Sequence, residues 1–118
     1  MPAHPNLFAD IDSMDPDRFA GHLADDVSFR FGNSDPVVGR AAVRDTWAGF
    51  CDGIDGVSHE IVEQWDEDAA TIAEATVTYT RKDGSTISLP VVTIYRGDGD
   101  KISDYRIFMD VAPLFAAQ

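Results

Sequence analysis

The sequence predicts an α+β domain shaped as a cone, in which three N-terminal helices pack on a curved antiparallel sheet. Two patterns predict it: apolar residues recur at three- and four-residue steps in the first half, and four β-type runs follow in the second. Helices followed by a strand meander are typical of the α+β class. The length of 118 residues suits one domain, so we expect residues 1–118 to fold as a single unit.

The first two helices are expected to follow each other closely. Residues 6–14 repeat apolar side chains at helical spacing, which predicts the first helix. Asp15 and Pro16 predict the start of the second, because Asp caps a helix and Pro suits its first position. The second helix is expected to include Leu23 and to end at residues 25–26, where two aspartates stand together.

A strand, a loop and a third helix complete the first half. Residues 27–31 alternate strictly between apolar and polar, which predicts a strand. Residues 32–39 are rich in Gly, Asn, Ser, Asp and Pro, which is typical of a loop. Residues 40–52 predict the third helix. The inward residues of this strand and helix are expected to be Val27, Phe29, Phe31, Val43, Trp47 and Phe50.

The second half predicts an antiparallel meander. Its four runs are residues 57–65, 71–81, 85–95 and 101–111. The dipeptide at residues 83–84, Asp-Gly, is a strong signal for a tight hairpin. Pro90 cannot donate a backbone hydrogen bond, so we expect a bulge or an edge there.

Composition excludes several classes of partner. The formal net charge of −12 argues against nucleic acid, whose phosphates need clustered Lys and Arg, and against an anionic membrane surface. The single cysteine excludes an internal disulfide and suits a reducing cytoplasm. No apolar run is long enough for a membrane span. The histidines His4, His22 and His59 lack metal-ligand spacing, so we expect neither a metal nor a cofactor, and solvated or helix-face positions for these rings.

The interior allows two interpretations. Several large side chains are expected to point into the cone, and a short chain cannot pack all of them solidly, which predicts a cavity for an apolar small molecule. Alternatively, these residues simply fill the core, as buried aromatics usually do. The expected wall residues are Phe29, Phe31, Trp47, Val77, Tyr79, Val92 and Ile94.

The order of elements resembles the nuclear transport factor 2-like superfamily, which includes ketosteroid isomerase, limonene epoxide hydrolase, scytalone dehydratase and the SnoaL-like polyketide cyclases. The resemblance covers nearly the whole chain, and its carriers are four short segments. These are residues 23–29, 38–43, 99–102 and 105–110. Because this superfold hosts many activities, the resemblance predicts the fold more strongly than any one reaction. It also implies a homodimer formed through the outer face of the sheet.

The resemblance carries few catalytic residues over to this chain. The three catalytic positions of ketosteroid isomerase fall near Leu7, Phe31 and Val92, which are all apolar. The Arg-X-Asp pair of limonene epoxide hydrolase falls near Ala75 and Val77, so both catalytic sets are incomplete. Asp110 is the one family position that keeps its residue, since SnoaL-like cyclases use an acid/base aspartate in the last strand.

Asp110 is therefore the expected catalytic residue. It stands between two apolar residues, where desolvation would raise its pKa, although capping of the final segment is the alternative. Arg106 either holds an anionic substrate group or pairs with Asp104 or Asp110. Met109 points to the opposite side of the strand from Arg106 and Asp110. A bulge would decide which of these two sides is turned towards the ligand. Tyr79 is a candidate hydrogen-bond donor.

Three hypotheses of function remain open. The first is an enzyme that moves protons on an apolar small molecule at Asp110, as a cyclase, isomerase, dehydratase or hydratase. The second is a non-catalytic binder of such a molecule. The third is a protein-interaction module, although no sequence feature indicates an exposed groove for a protein partner.

Overall fold

The computed structural model describes residues 4–98 and 100–115, and within them the predicted helices and meander are present. Its helices are α1 (Leu7–Asp12), α2 (Pro16–Ala20), α3 (Arg40–Cys51) and α4 (Ala112–Phe115). Its strands are β1 (Leu23–Phe31), β2 (Val37–Val38), β3 (Gly56–Asp66), β4 (Thr71–Thr80), β5 (Thr86–Asp98) and β6 (Lys101–Phe108). The longest helix has 12 residues, and no helix in the described ranges has the length and apolarity needed to cross a bilayer.

The strands form one six-stranded sheet in the order β2-β1-β6-β5-β4-β3. Strands β3 to β6 pair antiparallel with their sequence neighbours, which confirms the predicted meander. Strand β1 pairs parallel with β6, so the sheet is mixed rather than wholly antiparallel. Strand β2 and helix α3 separate β1 from the meander along the chain, and β1 pairs with the edge of β6 that β5 leaves free.

The second helix is shorter than the sequence predicts. Asp15 caps it as expected, accepting a hydrogen bond from the Asp17 backbone N–H at 3.0 Å, but the helix ends at Ala20. The backbone carbonyl of His22 accepts from the N–H of Ile102 at 2.8 Å, and Leu23 pairs with Ile102. Pairing with β6 thus outcompetes helix continuation at Leu23, and the strand begins four residues earlier than predicted.

The hairpin between β4 and β5 turns at residues 82–85, as the Asp-Gly pair predicts. Gly84 has a φ of +87°, a value that favours glycine because it has no Cβ. Pro90 pairs with Thr76 without a bulge, and the pairing of β5 with β6 begins only at Val92. Pro90 therefore lies on a stretch of β5 whose second edge is free, where its missing N–H costs no ladder hydrogen bond.

The core lies between the helices and the inner face of the sheet. Phe29 and Tyr105 stack with ring centroids 5.6 Å apart, and Tyr95 stacks on the other face of Tyr105 at 6.1 Å. Phe19 of α2 meets both Phe29 and Tyr105 edge-on. Such offset and edge-to-face contacts stabilise an aromatic core beyond its buried area.

Candidate functional site

Two adjoining cavities lie beneath the helices. The inner cavity has a volume of about 30 Å³, enough for roughly one water molecule. The outer cavity, of about 220 Å³, lies towards α3 and the C-terminal segment. Phe29, Phe31 and Trp47 border both. The interior is thus nearly filled at its centre, and open space remains at its mouth.

The inner wall is apolar except at a few positions. Its polar groups belong to His59, Thr93, the two tyrosines at residues 79 and 105, and the indole of Trp47. Burial raises the pKa of Tyr105 far above its usual value, so its phenol stays neutral. Arg, Lys, Asp and Glu are absent from this wall among the described residues. The full wall consists of Ile11, Phe19, Phe29, Phe31, Trp47, His59, Tyr79, Val91, Thr93, Tyr105, Ile107 and Met109.

The C-terminal segment borders the outer cavity, and Arg81 holds this segment in position. The Arg81 guanidinium donates from Nε to the carbonyl of Leu114 at 3.0 Å and from Nη2 to that of Pro113 at 3.1 Å. Phe115 and Phe50 meet edge-on at 6.3 Å above the cavity. A short helix that two hydrogen bonds hold in place therefore forms one side of the mouth.

His59 and Asp12 form a pair at the wall of the inner cavity. Nδ1 of His59 lies 2.6 Å from Oδ1 of Asp12, and the His59 backbone N–H donates to Oδ2 at 2.9 Å. The side chains are only 10% and 24% exposed. The ring of Phe8 packs against His59 at 5.2 Å. One carboxylate thus fixes both the backbone and the ring of His59.

This pairing assigns the tautomer of His59. An ionised carboxylate only accepts hydrogen bonds, so the proton of a neutral imidazole lies on Nδ1 and the lone pair on Nε2. Nε2 has no hydrogen-bond partner among the residues the structure describes. A histidine held in this way can take a proton at Nε2, with the carboxylate stabilising the resulting imidazolium.

Tyr79 supplies a neutral donor to the same cavity. Burial raises the pKa of Tyr79 to about 12, with the negative charge of Asp12 adding to the effect. Its O–H points to the sulfur of Met109 at 3.8 Å, and a thioether is a weak acceptor. An oxygen acceptor on a ligand would therefore be a better partner for this hydroxyl than the sulfur.

Five of the nine residues predicted to contact a ligand lie on the wall of the inner cavity. Val77 is fully buried in the core and borders neither cavity. Contact of these wall residues with a ligand stays a prediction. The wall residues among them are Phe29, Phe31, Trp47, Tyr79 and Met109.

The prediction that Val92, Ile94 and Arg106 line the cavity is wrong. In β5 the buried residues are Val91, Thr93 and Tyr95, so the neighbouring even-numbered positions face outwards. The register with β4 sets this parity, since the buried Ala75 pairs with Val91. Arg106 pairs with Ile94 on the outer face and binds the carboxylate of Asp104 at 3.1 Å.

The prediction that Asp110 lies in a desolvated wall is also wrong. Strand β6 ends at Phe108, and the chain then turns into α4. Asp110 is exposed, and its Oδ1 accepts a hydrogen bond from the backbone N–H of Ala112 at 3.0 Å. The carboxylate thus takes the capping role that was the alternative.

The sequence alone does not predict the pair formed by His59 and Asp12. One signal was present: His59 shares the strand parity of Val57, which is buried and pairs with Tyr79. Nothing local links it to Asp12, which lies 47 residues earlier on α1. Only the packing of α1 on β3 brings the two together.

Metal and thiol chemistry find little support in the described ranges. No group of three metal-binding side chains occurs there. Cys51 is buried, and burial raises the pKa of its thiol to about 11. The thiol therefore stays protonated and unreactive at neutral pH.

Comparison with known proteins places this geometry in a family. Residues 6–105 match the model of the SnoaL-like domain. No curated protein matches the sequence.

Solved structures share the fold at low sequence identity. A protein from Jannaschia sp. CCS1 named after the SnoaL-like polyketide cyclases is 14% identical, with a TM-score of 0.83 over 96% of this chain and 86% of its own. A ketosteroid isomerase-like protein from Catenulispora acidiphila, in complex with trimethylamine, is 17% identical, with a TM-score of 0.82 over 90% and 83%. An epoxide hydrolase of M. tuberculosis resembling limonene epoxide hydrolase is 18% identical, with a TM-score of 0.80 over 96% and 84%.

Proposed function

The chain belongs to the family of SnoaL-like domains, and from this premise we propose that it is an enzyme that moves a proton to and from carbon in a neutral, apolar small molecule. One observation carries the proposal: the imidazole of His59, oriented by Asp12 at 2.6 Å, borders the inner cavity with Nε2 free to accept a proton. His59 is the proposed acid/base residue, in place of Asp110.

The proposed reaction begins at a carbon beside a carbonyl group. His59 Nε2 takes the proton, and the electron pair of the C–H bond forms an enolate whose oxygen needs a donor. The neutral O–H of Tyr79 supplies one, because its present sulfur partner is weak. In an isomerisation the proton returns from His59 to a different carbon. In a cyclisation the enolate carbon attacks a second carbonyl, whose oxygen takes that proton.

Water-adding chemistry of the epoxide hydrolase type fits this chain less well. That reaction needs polar side chains to orient the water and protonate the epoxide, and the corresponding positions hold Ala75 and Val77, which are buried and apolar. His59, which pairs with Val77 across the β3–β4 ladder, is the polar residue of the wall opposite this position. We therefore place the reaction in the isomerase and cyclase classes.

Deuterium exchange tests the proposal without a known substrate. A panel of neutral aryl and cyclic ketones is incubated with protein in D2O, and loss of the α-proton signal is followed by NMR. We expect exchange with at least one ketone, and a loss of at least about 100-fold in His59→Gln. His22→Gln is the matched control, because His22 also pairs with an aspartate of α1 but does not border the inner cavity.

The same experiment addresses the second candidate function, a non-catalytic binder, which is favoured because the larger outer cavity of about 220 Å³ is not bordered by His59. Binding of ketones without any exchange, or exchange that survives His59→Gln, would refute the enzymatic proposal. Binding without exchange would support the non-catalytic binder instead.

We also propose that two copies pair through the outer face of the sheet. Five apolar side chains from four strands meet there, where Ile94 pairs with Ile72, Ile72 with Trp65, and Val92 with Phe108. Phe108 and Trp65 are 50% and 39% exposed. A patch of this kind on a monomer marks an interaction surface. This outer patch consists of Trp65, Ile72, Val92, Ile94 and Phe108.

A further inference from the structure

The indole N–H of Trp47 is a buried donor without an acceptor. Trp47 is 8% exposed, and within the described residues its Nε1 is the one buried side-chain nitrogen or oxygen without a hydrogen-bond partner. A buried tryptophan normally finds a partner for this group, since leaving it unpaired costs the full desolvation of the donor. An unpaired N–H beside two cavities points to an acceptor that comes from outside the chain.

Packing prevents Trp47 from turning this group towards solvent. Its ring stacks on Phe50 with centroids 5.4 Å apart and an interplanar angle of 15°. Phe19 meets it edge-on at 6.1 Å. Because both neighbours restrict the ring, the direction of the N–H is set before any ligand binds, which is the condition for selective recognition.

The walls also determine the charge of the acceptor. No Arg or Lys borders either cavity among the described residues, so a bound carboxylate or phosphate would lack a permanent cation. A carbonyl oxygen needs only a neutral donor. The outer cavity, of about 220 Å³, exceeds the roughly 150 Å³ that holds a benzene ring in an apolar protein cavity.

We propose that Trp47 is the specificity-determining donor of this site, and that its Nε1–H binds the carbonyl oxygen of a neutral, ring-sized ligand. The proposal rests on the proposed function, because it identifies what distinguishes the substrate of His59 from an apolar molecule of the same shape. One buried water on Nε1, which the inner cavity can hold, is the alternative.

The two tryptophans of the chain make a direct test possible. Protein labelled with ¹⁵N at tryptophan gives two indole N–H signals, and the half-exposed Trp65 serves as the internal reference. The probes are acetophenone and α-methylstyrene, which have the same shape but differ by C=O against C=CH₂. We expect acetophenone to move the Trp47 proton signal downfield and α-methylstyrene not to do so, while the Trp65 signal stays in place.

Calorimetry on Trp47→Phe, which keeps an aromatic ring and removes the donor, completes the test. In the natural chain acetophenone should bind about tenfold more tightly than α-methylstyrene, and the variant should lose this preference. Equal affinities in the natural chain, the same signal change with both probes as expected for a displaced water, or no acetophenone binding at millimolar concentration would each overturn the proposal. Neither readout needs turnover, so a failure of exchange at His59 is recorded separately.

Discussion

His4 and His22 face each other with their Nδ1 atoms 3.0 Å apart. Nε2 of His22 lies 2.7 Å from a carboxylate oxygen of Asp10, which assigns a proton to that nitrogen and leaves Nδ1 of a neutral His22 as an acceptor. His4 must then donate from its own Nδ1. The ring of His4 also packs edge-on against Tyr95 at 5.9 Å, so this chain of contacts fastens the N-terminal segment to the sheet.

This arrangement predicts that the free energy of unfolding decreases as the pH is lowered. Burial lowers the pKa of His4 below 6.5, and electrostatic interactions with His22 and Lys101 lower it further, against a smaller opposite effect of Asp100. The unfolded chain therefore binds a proton at a higher pH than the folded one, and stability is lost as pH falls through about 6.5 towards the folded pKa.

Between about pH 7.5 and about pH 5.5, urea unfolding should show a steeper loss of unfolding free energy in the natural chain than in His4→Gln. Glutamine can still donate to His22 but cannot take a proton. Parallel pH dependences of the two proteins would contradict the role of His4.

Asp12 is expected to act as a positioning residue. Asp12→Asn keeps the size of the side chain but removes the negative charge and one of the two acceptor oxygens that hold His59. The exchange rate with a ketone should therefore fall at least about tenfold while KM changes little. Asp12→Glu, which restores a carboxylate, should recover part of the rate. The matched control is Asp10→Asn, since Asp10 lies on the same helix and pairs with His22 away from the inner cavity. An equal loss in Asp10→Asn would show that the effect comes from α1 as a whole.

Short sequence patterns predicted those elements that are determined by residues close to one another in the chain. The cap at Asp15, the Asp-Gly turn and the helix around Trp47 all follow from near neighbours in the sequence. The parallel pairing of β1 with β6 does not, because it joins residues about 80 apart, as Leu23 with Ile102. The short strand β2, Val37–Val38, lies in the predicted loop and exists only through its pairing with β1.

The site was harder to predict than the fold for a related reason. In β5 the polar Thr93 is buried, while Val92 and Ile94 face outwards, so polarity alone gives the wrong parity. The register with β4 decides it. The partner of His59 is set by how α1 packs on β3, which no spacing in the sequence records.

Gly97 is predicted to be essential for the β5–β6 turn. It lies at the register shift that follows Arg96, and a Cβ at this position would collide with the backbone carbonyl oxygen of Lys101. Because that oxygen belongs to the paired strand, it cannot move without breaking the ladder. We expect Gly97→Ala to lower the free energy of unfolding by about 1–3 kcal/mol in urea denaturation.

Gly49 provides the matched control, because an alanine there is expected to raise the free energy of unfolding. It lies inside α3, and a Cβ there would meet no atom within 4 Å. Gly49→Ala should therefore stabilise the protein by about 0.5–1 kcal/mol, since alanine loses less backbone entropy in a helix. Equal and small effects of the two substitutions would show that the turn tolerates a side chain at Gly97.

The outer patch predicts a two-fold dimer. Size-exclusion chromatography with light scattering at micromolar concentration should give twice the chain mass of 12.9 kDa. Ile94 lies on β5 between two paired strands, at the centre of the patch. Ile94→Glu would bury a carboxylate in the interface beside Arg106, whose guanidinium is already bound by Asp104, so we expect this variant to run as a monomer with its fold intact.

Val38→Glu is the control for this prediction, because Val38 is 65% exposed on β2, at the opposite edge of the sheet from β3 and away from the patch. It adds the same charge to an exposed apolar position and should leave the dimer unchanged. A natural chain that runs near 12.9 kDa would refute the dimer. A dimer that persists in Ile94→Glu and dissociates in Val38→Glu would move the interface to the β2 edge, where the unpaired side of the two-residue strand can add a strand from a second copy.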